Sequence, residues 1–211
     1  NQLPATNNTN FQYCQEIAVH PTTGDLYVTT RTNGLMRSTD GGNTFHKVLG
    51  FGASGGTSNT GNDIEFTKNG GVFCTLGIFV TGGIFYSNSG DSGTWVHQIN
   101  GFPSIGVMRI ELATAPDNDS VAYAVAQTSA SSYGIRGIWK TTNKGQTWDT
   151  LPNPGGNHAW AKKQAWYDLA IAVDPHDENT IALGGWGLWR SKDGGNTWMQ
   201  LSHGKIDSFA Y

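Results

Sequence analysis

Five carboxylates recur at the first strand, or just before it, in four similar segments of the chain: Glu16, Asp63, Glu65, Glu111 and Asp168. Two carboxyl groups across a cleft can hydrolyse a glycosidic bond, one as general acid and the other as base or nucleophile. Clustered acids also raise the pKa of one member, as general-acid catalysis requires. Asp63, Glu111 and Asp168 are therefore catalytic candidates. The simpler interpretation, which we prefer, is structural. The acids line a hydrated channel where the first strands converge, and the positive charge of Arg109 offsets part of the repulsion between them.

Aromatic side chains of the last segment suit a second kind of chemistry, stacking on the faces of sugars. The candidates for ligand binding are Trp160, Trp166, Tyr167 and Trp186, together with Arg109. Trp160 and Trp186 are preferred because neither fits the spacing of the residues expected in the core. The alternative is that a tryptophan in a glycine-rich turn covers the end of a sheet.

Other chemistries find little support. The histidines, Cys14 and Cys74 follow no metal-ligand or redox spacing, so we expect no metal and no cofactor. The two cysteines are predicted to be buried thiols, with a disulfide as the alternative. A net charge of −3 gives no electrostatic case for nucleic acid. No apolar run reaches the roughly 18 residues of a membrane span.

The elements that position these residues are set by one phrase written four times. Its closing aromatics, Phe45, Trp95, Trp148 and Trp198, are 50, 53 and 50 residues apart. An Asp or Asn in such a turn accepts hydrogen bonds from following backbone amides, and glycine supplies a positive φ. We assign the phrase a structural role throughout. Its other residues are Ser38, Asp40, Gly42, Thr44, Asp91, Thr94, Asn143, Gly145, Thr147, Ser191, Asp193, Gly195 and Thr197.

Four short strands bounded by Gly, Pro, Asn and Asp surround each copy of the phrase. Four strands per unit of about 50 residues predict an all-β propeller. The chain is interpreted as one propeller region, 1–211, with blades at about 11–50, 60–100, 105–152 and 164–202. We expect it to be part of a longer polypeptide with further blades, because four blades is the small limit of the fold.

The phrase resembles the Asp-box, or BNR repeat, Ser-x-Asp-x-Gly-x-Thr-Trp, and the resemblance extends along the whole chain. Asn143 replaces the Asp in the third copy, and one extra residue displaces Asp91 in the second, so wider or less rigid turns are expected there. The resemblance implies a propeller of the group that includes sialidases, xyloglucan-degrading hydrolases and sortilin-type domains. The Phe/Tyr-Arg-Ile-Pro motif of sialidases is absent.

Residues 166–175 and 184–191 resemble the large secreted propellers of Bacteroidota that use type IX secretion. This implies a secreted or cell-surface protein. We therefore predict an extracellular binding or interaction module, with a glycan or another surface protein as partner, and lean against an enzyme. The alternatives are a xyloglucanase-like or sialidase-like glycoside hydrolase using the channel carboxylates, and a protein-assembly scaffold.

Overall fold

The structure, a computed structural model, describes residues 11, 13–50, 60–130, 134–156, 158 and 160–202. These residues form four antiparallel sheets of four strands each, in sequence order along the chain. Blade 1 consists of β1 Cys14–Val19, β2 Leu26–Thr30, β3 Gly34–Ser38 and β4 His46–Leu49. Blade 2 consists of β5 Gly61–Phe66, β6 Val72–Leu76, β7 Gly83–Ser87 and β8 Val96–Gln98.

The other two sheets repeat this arrangement. Blade 3 consists of β9 Val107–Thr114, β10 Ala122–Thr128, β11 Ile135–Thr141 and β12 Asp149–Leu151. Blade 4 consists of β13 Ala170–Asp174, β14 Asp177–Gly184, β15 Leu188–Ser191 and β16 Met199–Ser202. The predicted all-β propeller built from four-stranded blades is confirmed. No helix in the described part of the chain is long and apolar enough to cross a membrane.

Apolar side chains fill the spaces between consecutive blades. Tyr27 of blade 1 packs with Ile64 of blade 2 in the first of three buried clusters. Phe73 of blade 2 and Ile110 of blade 3 belong to the second cluster, and Tyr123 and Leu183 join blades 3 and 4 in the third. Blades 2 and 3 thus bury both faces against their neighbours, whereas blades 1 and 4 each bury one face in this way.

The repeated phrase forms the turn between the third and fourth strands. In the first copy, Asp40 accepts bonds from the backbone N–H of Thr44 at 2.9 Å and from its hydroxyl at 2.6 Å. The Ser38 hydroxyl donates to Asp40 at 2.7 Å and accepts the N–H of Gly42 at 2.9 Å. These bonds lower the pKa of Asp40 to about 2. Asp193 makes the same set in the last copy.

The two irregular copies solve the turn differently. Asn143 keeps the geometry, because its Oδ1 accepts the N–H of Thr147 at 2.9 Å and its amide donates to the Thr147 hydroxyl. The extra residue of the second copy moves Asp91 outwards. Its carboxylate pairs with Arg37 of blade 1 at 2.8 Å, and the Thr94 hydroxyl donates to the Asp91 carbonyl instead. The expected wider turn is therefore found only in the second copy.

The cysteine prediction is half wrong. Cys74 is buried in the cluster between blades 1 and 2, as predicted, whereas Cys14 is exposed at the start of β1. Both are free thiols. Cys14 is the first residue of β1, and its thiol donates to the Phe11 carbonyl at 3.4 Å.

Candidate functional site

Antiparallel strand order places the aromatic candidates at one end of the blades. In every blade, strand 1 begins at the end where strand 2 finishes and strand 3 starts. We call this end the entry face. The repeated phrases lie at the opposite end, because they connect strands 3 and 4. The entry face therefore carries the segments before β1, β5, β9 and β13 and the loops between second and third strands.

We call the first strand of each blade its inner strand. Acids on these strands accept hydrogen bonds from the backbone of the next blade. Glu16 accepts the N–H of Ile64 at 2.8 Å, and Asp63 accepts the N–H of Leu112 at 2.5 Å. Ile64 and Leu112 occupy the same register, opposite Cys74 and Ala124 of their own blades. Because inner strands leave one row of backbone groups unpaired, a carboxylate from the preceding blade satisfies a donor that the sheet cannot.

A threonine completes each of these junctions. The Thr29 hydroxyl accepts the N–H of Glu16 and donates to the carbonyl of Asn62 at 3.1 Å. The Thr75 hydroxyl does the same with Asp63 and the carbonyl of Ile110, at 3.0 Å. We call each acid and threonine pair an inner clasp. The two clasps join blade 1 to blade 2 and blade 2 to blade 3.

An arginine takes over at the junction between blades 3 and 4. Arg109 donates to Glu111 at 2.7 Å and to the carbonyls of Trp166 and Tyr167 at 3.0 and 2.7 Å. Glu111 also accepts from the Asn62 amide at 3.1 Å. The Arg109 guanidinium therefore holds the segment that leads into blade 4 by hydrogen bonds to its backbone carbonyls. This placement makes Arg109 a positioning residue rather than the ligand contact proposed from the sequence.

Burial and mutual repulsion raise the pKa values of three of the acids on the inner strands. Desolvation, then Glu111 and Glu16, hold the pKa of Asp63 well above its usual range. Desolvation followed by the charge of Glu16 raises the pKa of Glu65 to about 7. Desolvation also raises the pKa of Glu111, although Arg109 opposes it. Asp168 lies near Arg109, and burial raises its pKa too.

We expect the Glu65→Gln variant to resist the loss of stability that the native chain suffers as pH rises. The folded pKa of Glu65, about 7, exceeds its ordinary value of 4.5, so the folded state binds the extra proton between these values. Stability therefore falls as pH rises through that window. The shift corresponds to about 3 kcal/mol at most. Urea unfolding at pH 4.5, 6 and 8 measures it, and equal slopes for both proteins would contradict the assignment.

Exposed aromatic rings run across the entry face. Tyr13, Phe79, Trp166 and Tyr167 are 66%, 46%, 41% and 71% exposed. The centroids of Phe79 and Trp166 are 6.2 Å apart, and those of Trp166 and Tyr167 are 5.4 Å apart. The Arg31 guanidinium lies 5.0 Å from the Tyr13 ring and 5.2 Å from the Phe79 ring. We call these four rings the aromatic strip.

Backbone strain marks two residues of the strip. Tyr13 has a φ of 56° and Phe79 a φ of 64°, in the left-handed region that bulky side chains rarely adopt. Such conformations persist where the surrounding structure enforces them, and they concentrate at functional sites. Three blades contribute to the strip, since Tyr13 precedes β1, Phe79 lies between β6 and β7, and Trp166 precedes β13.

The structure separates the residues that the sequence grouped. Trp166 and Tyr167 are exposed as a sugar-binding role requires, but Trp160 is buried between blades 3 and 4. Trp186 has the Lys162 ammonium 3.9 Å above its ring, so that face is already covered. The buried position of Trp160 argues against its proposed stacking role.

The three catalytic candidates do not form one group of carboxylates. Asp63 and Glu111 do come together with Glu16 and Glu65, yet the Asp63 carboxyl is buried and bound to Leu112. Asp168 lies beside the segment that Arg109 holds. The described residues contain no group of three or more His, Cys, Asp or Glu side chains that could hold a metal ion.

Comparisons with known proteins relate the chain to xyloglucan-degrading enzymes. It is 31% identical over 129 residues to a xyloglucanase of Acetivibrio thermocellus, a match covering 55% of this chain and 14% of that relative. No family model matches. A GH74 enzyme of Niastella koreensis has a similar fold, with a TM-score of 0.68 and 22% identity over 89% of this chain and 29% of its own.

A GH74 xyloglucanase of Xanthomonas campestris is also similar in structure. Its TM-score is 0.65 with 16% identity, covering 91% of this chain and 31% of that one. At these identities the structural likeness establishes the propeller fold alone. The chain spans 14% of the length of the curated relative and under a third of either structural neighbour.

Proposed function

We propose that the entry face binds a polysaccharide chain along the aromatic strip, in an extracellular propeller of the xyloglucanase kind. The observation that carries the proposal is four exposed rings from three blades: ring contacts link Phe79, Trp166 and Tyr167, and Arg31 bridges Tyr13 to Phe79. Pyranose rings present apolar C–H faces, which pack favourably on exposed aromatic rings. The similarity to a xyloglucanase supports a glycan as the ligand. In this role the chain is a binding module and its inner acids are structural.

The strip is tested by truncating its rings. We expect Phe79→Ala and Trp166→Ala each to weaken xyloglucan binding about 5- to 30-fold, since a central aromatic contact contributes about 1–2 kcal/mol. Isothermal titration with xyloglucan oligosaccharides measures the loss. Val96→Ala truncates another exposed apolar side chain, at the opposite end of blade 2, and is the control. Unchanged affinity in both strip variants would refute the binding role.

A second candidate function is glycoside hydrolysis, as predicted in the alternative. The observation that favours it is the pKa of about 7 at Glu65, a value suited to a general acid. In that case Glu65→Gln abolishes the release of sugars from xyloglucan and leaves binding to the strip intact. Turnover that survives in this variant would exclude Glu65 as the acid.

The wider assignments also stand as proposals. We assign the repeated turn to the Asp-box group and place the protein outside the cell; the type IX route remains a prediction from the resemblance. Blade limits of about 11–50, 60–100, 105–152 and 164–202 remain predictions too. Further blades are supported by Ile17, which is 67% exposed although its register equivalents Ile64 and Leu112 are buried between blades.

A further inference from the structure

We propose that Arg31 makes the entry face selective for glycans that carry a carboxylate, such as uronic acid residues. The inference rests on the proposed polysaccharide-binding function and deepens it by naming the substrate class. It starts from a feature that the strip alone does not require, a cation held between two of its rings. A neutral sugar offers a guanidinium only hydroxyl acceptors, whereas a carboxylate forms the stronger, charge-assisted pair with it, so a positioned guanidinium adds a charged recognition element to the strip.

The guanidinium is presented in a defined place. It lies 5.0 Å from the Tyr13 ring and 5.2 Å from the Phe79 ring, and both residues have strained, positive φ values. The backbone beneath is fixed, because the Arg31 N–H donates to the Tyr13 carbonyl and the Thr60 hydroxyl donates to the Arg31 carbonyl. Rings in contact with a guanidinium restrict its position and leave N–H groups directed along its edge.

Among the described residues, Arg31 forms no salt bridge. Two other arginines, Arg37 and Arg109, each bind at least one carboxylate. Arg37 binds Asp25 and Asp91, and Arg109 binds Glu111 and three backbone carbonyls. Arg31 is therefore a half-buried cation beside the candidate sugar site, and no carboxylate of the described residues neutralises its charge.

A carboxylate is the anion that this arrangement fits. The planar guanidinium fork donates two parallel N–H bonds to the two oxygens of a carboxylate, a geometry that lysine cannot reproduce. A uronic acid residue carries its carboxylate on the sugar ring itself. Its pyranose face packs on the strip while its carboxylate accepts from Arg31. Neutral glucose residues retain the first interaction and lack the second.

The test compares two ligands with the same backbone, cellohexaose and its counterpart oxidised to the carboxylate at C6. We expect the native chain to bind the oxidised hexamer about 5- to 30-fold more tightly at low salt. The preference should shrink in 0.5 M NaCl, because partly exposed charges are screened. Titration calorimetry on both ligands at both salt concentrations measures it.

Three variants decide the origin of the preference. Arg31→Gln and Arg31→Lys should lose most of it and keep the affinity for cellohexaose within about twofold. Arg190→Gln, which removes the same charge from β15 of blade 4, should keep it in full. Equal binding of the two hexamers by the native chain, or a preference that survives in Arg31→Gln, would overturn this inference. Polysaccharide binding would still stand if Trp166→Ala weakens cellohexaose, and would fall if neither hexamer nor the xyloglucan oligosaccharides bind.

Discussion

Trp160→Ala is expected to lower the free energy of unfolding by about 3–5 kcal/mol, the usual cost of truncating a buried tryptophan. Trp160 is 7% exposed and packs in the cluster that joins blades 3 and 4. Gly185 lies so close that a Cβ there would meet the indole ring at 3.0 Å. The site is therefore tightly filled, and alanine would leave a cavity between two blades that the backbone cannot close.

The measurement is urea unfolding followed by tryptophan fluorescence and circular dichroism. Trp160→Phe keeps much of the volume and should lose less stability than the alanine variant. Trp186→Ala is the matched control, because its ring is only half-buried and lies under the Lys162 ammonium. We expect Trp160→Ala to retain xyloglucan affinity under conditions where it is folded. A stable Trp160→Ala protein without affinity would restore the stacking role inferred from the sequence.

The repeated phrase made the fold predictable because its chemistry is local. Asp40 and Asp193 satisfy the same backbone amides in their turns, so spacing along the chain is enough to locate four hairpins. The strand order follows from those hairpins. Contacts between blades carry no such local signal, so the sequence predicts the displacement of Asp91 but not its ion pair with Arg37 of another blade.

The aromatic strip could be predicted only in part. Trp166 and Tyr167 stand out as consecutive aromatics before a strand, whereas Phe79 and Tyr13 lie alone in short connections of other blades. Their proximity depends on how blades stack, which pattern reasoning within one repeat does not capture. One signal was available: Phe79 falls in a loop between second and third strands, at the same end as the segment before β13.

For the inner acids, the sequence predicts that they lie close together but does not predict their hydrogen-bond partners. Their convergence was predicted correctly from the repeat, since Glu16, Asp63 and Glu111 occupy equivalent places in consecutive inner strands. Their partners were not, because a carboxylate that binds a backbone N–H of the next blade looks the same in sequence as a catalytic one. Only the bonds to Ile64 and Leu112 distinguish the two roles.

Asp63→Ala should therefore destabilise the protein by about 2–5 kcal/mol, whereas Asp63→Asn should be neutral or stabilising at pH 7. Burial and the neighbouring acids raise the pKa of Asp63 and so favour its protonated form, which donates to Glu16 while its other oxygen accepts from Leu112. Asparagine reproduces that donor and acceptor pair without a charge to desolvate. Alanine leaves the buried N–H of Leu112 and the Glu16 carboxylate without this partner, which is the costly case.

The pH dependence separates this structural role from a catalytic one. The folded pKa of Asp63 lies above its ordinary value, so the native chain loses stability as pH rises above about 4. Asp63→Asn should remove that part of the loss, and thermal unfolding at pH 4, 6 and 8 measures it. A catalytic carboxylate predicts instead that asparagine abolishes any xyloglucan turnover with little change in stability. An asparagine variant as unstable as the alanine one would contradict the neutral, hydrogen-bonded role of Asp63, because asparagine keeps both the donor to Glu16 and the acceptor for Leu112.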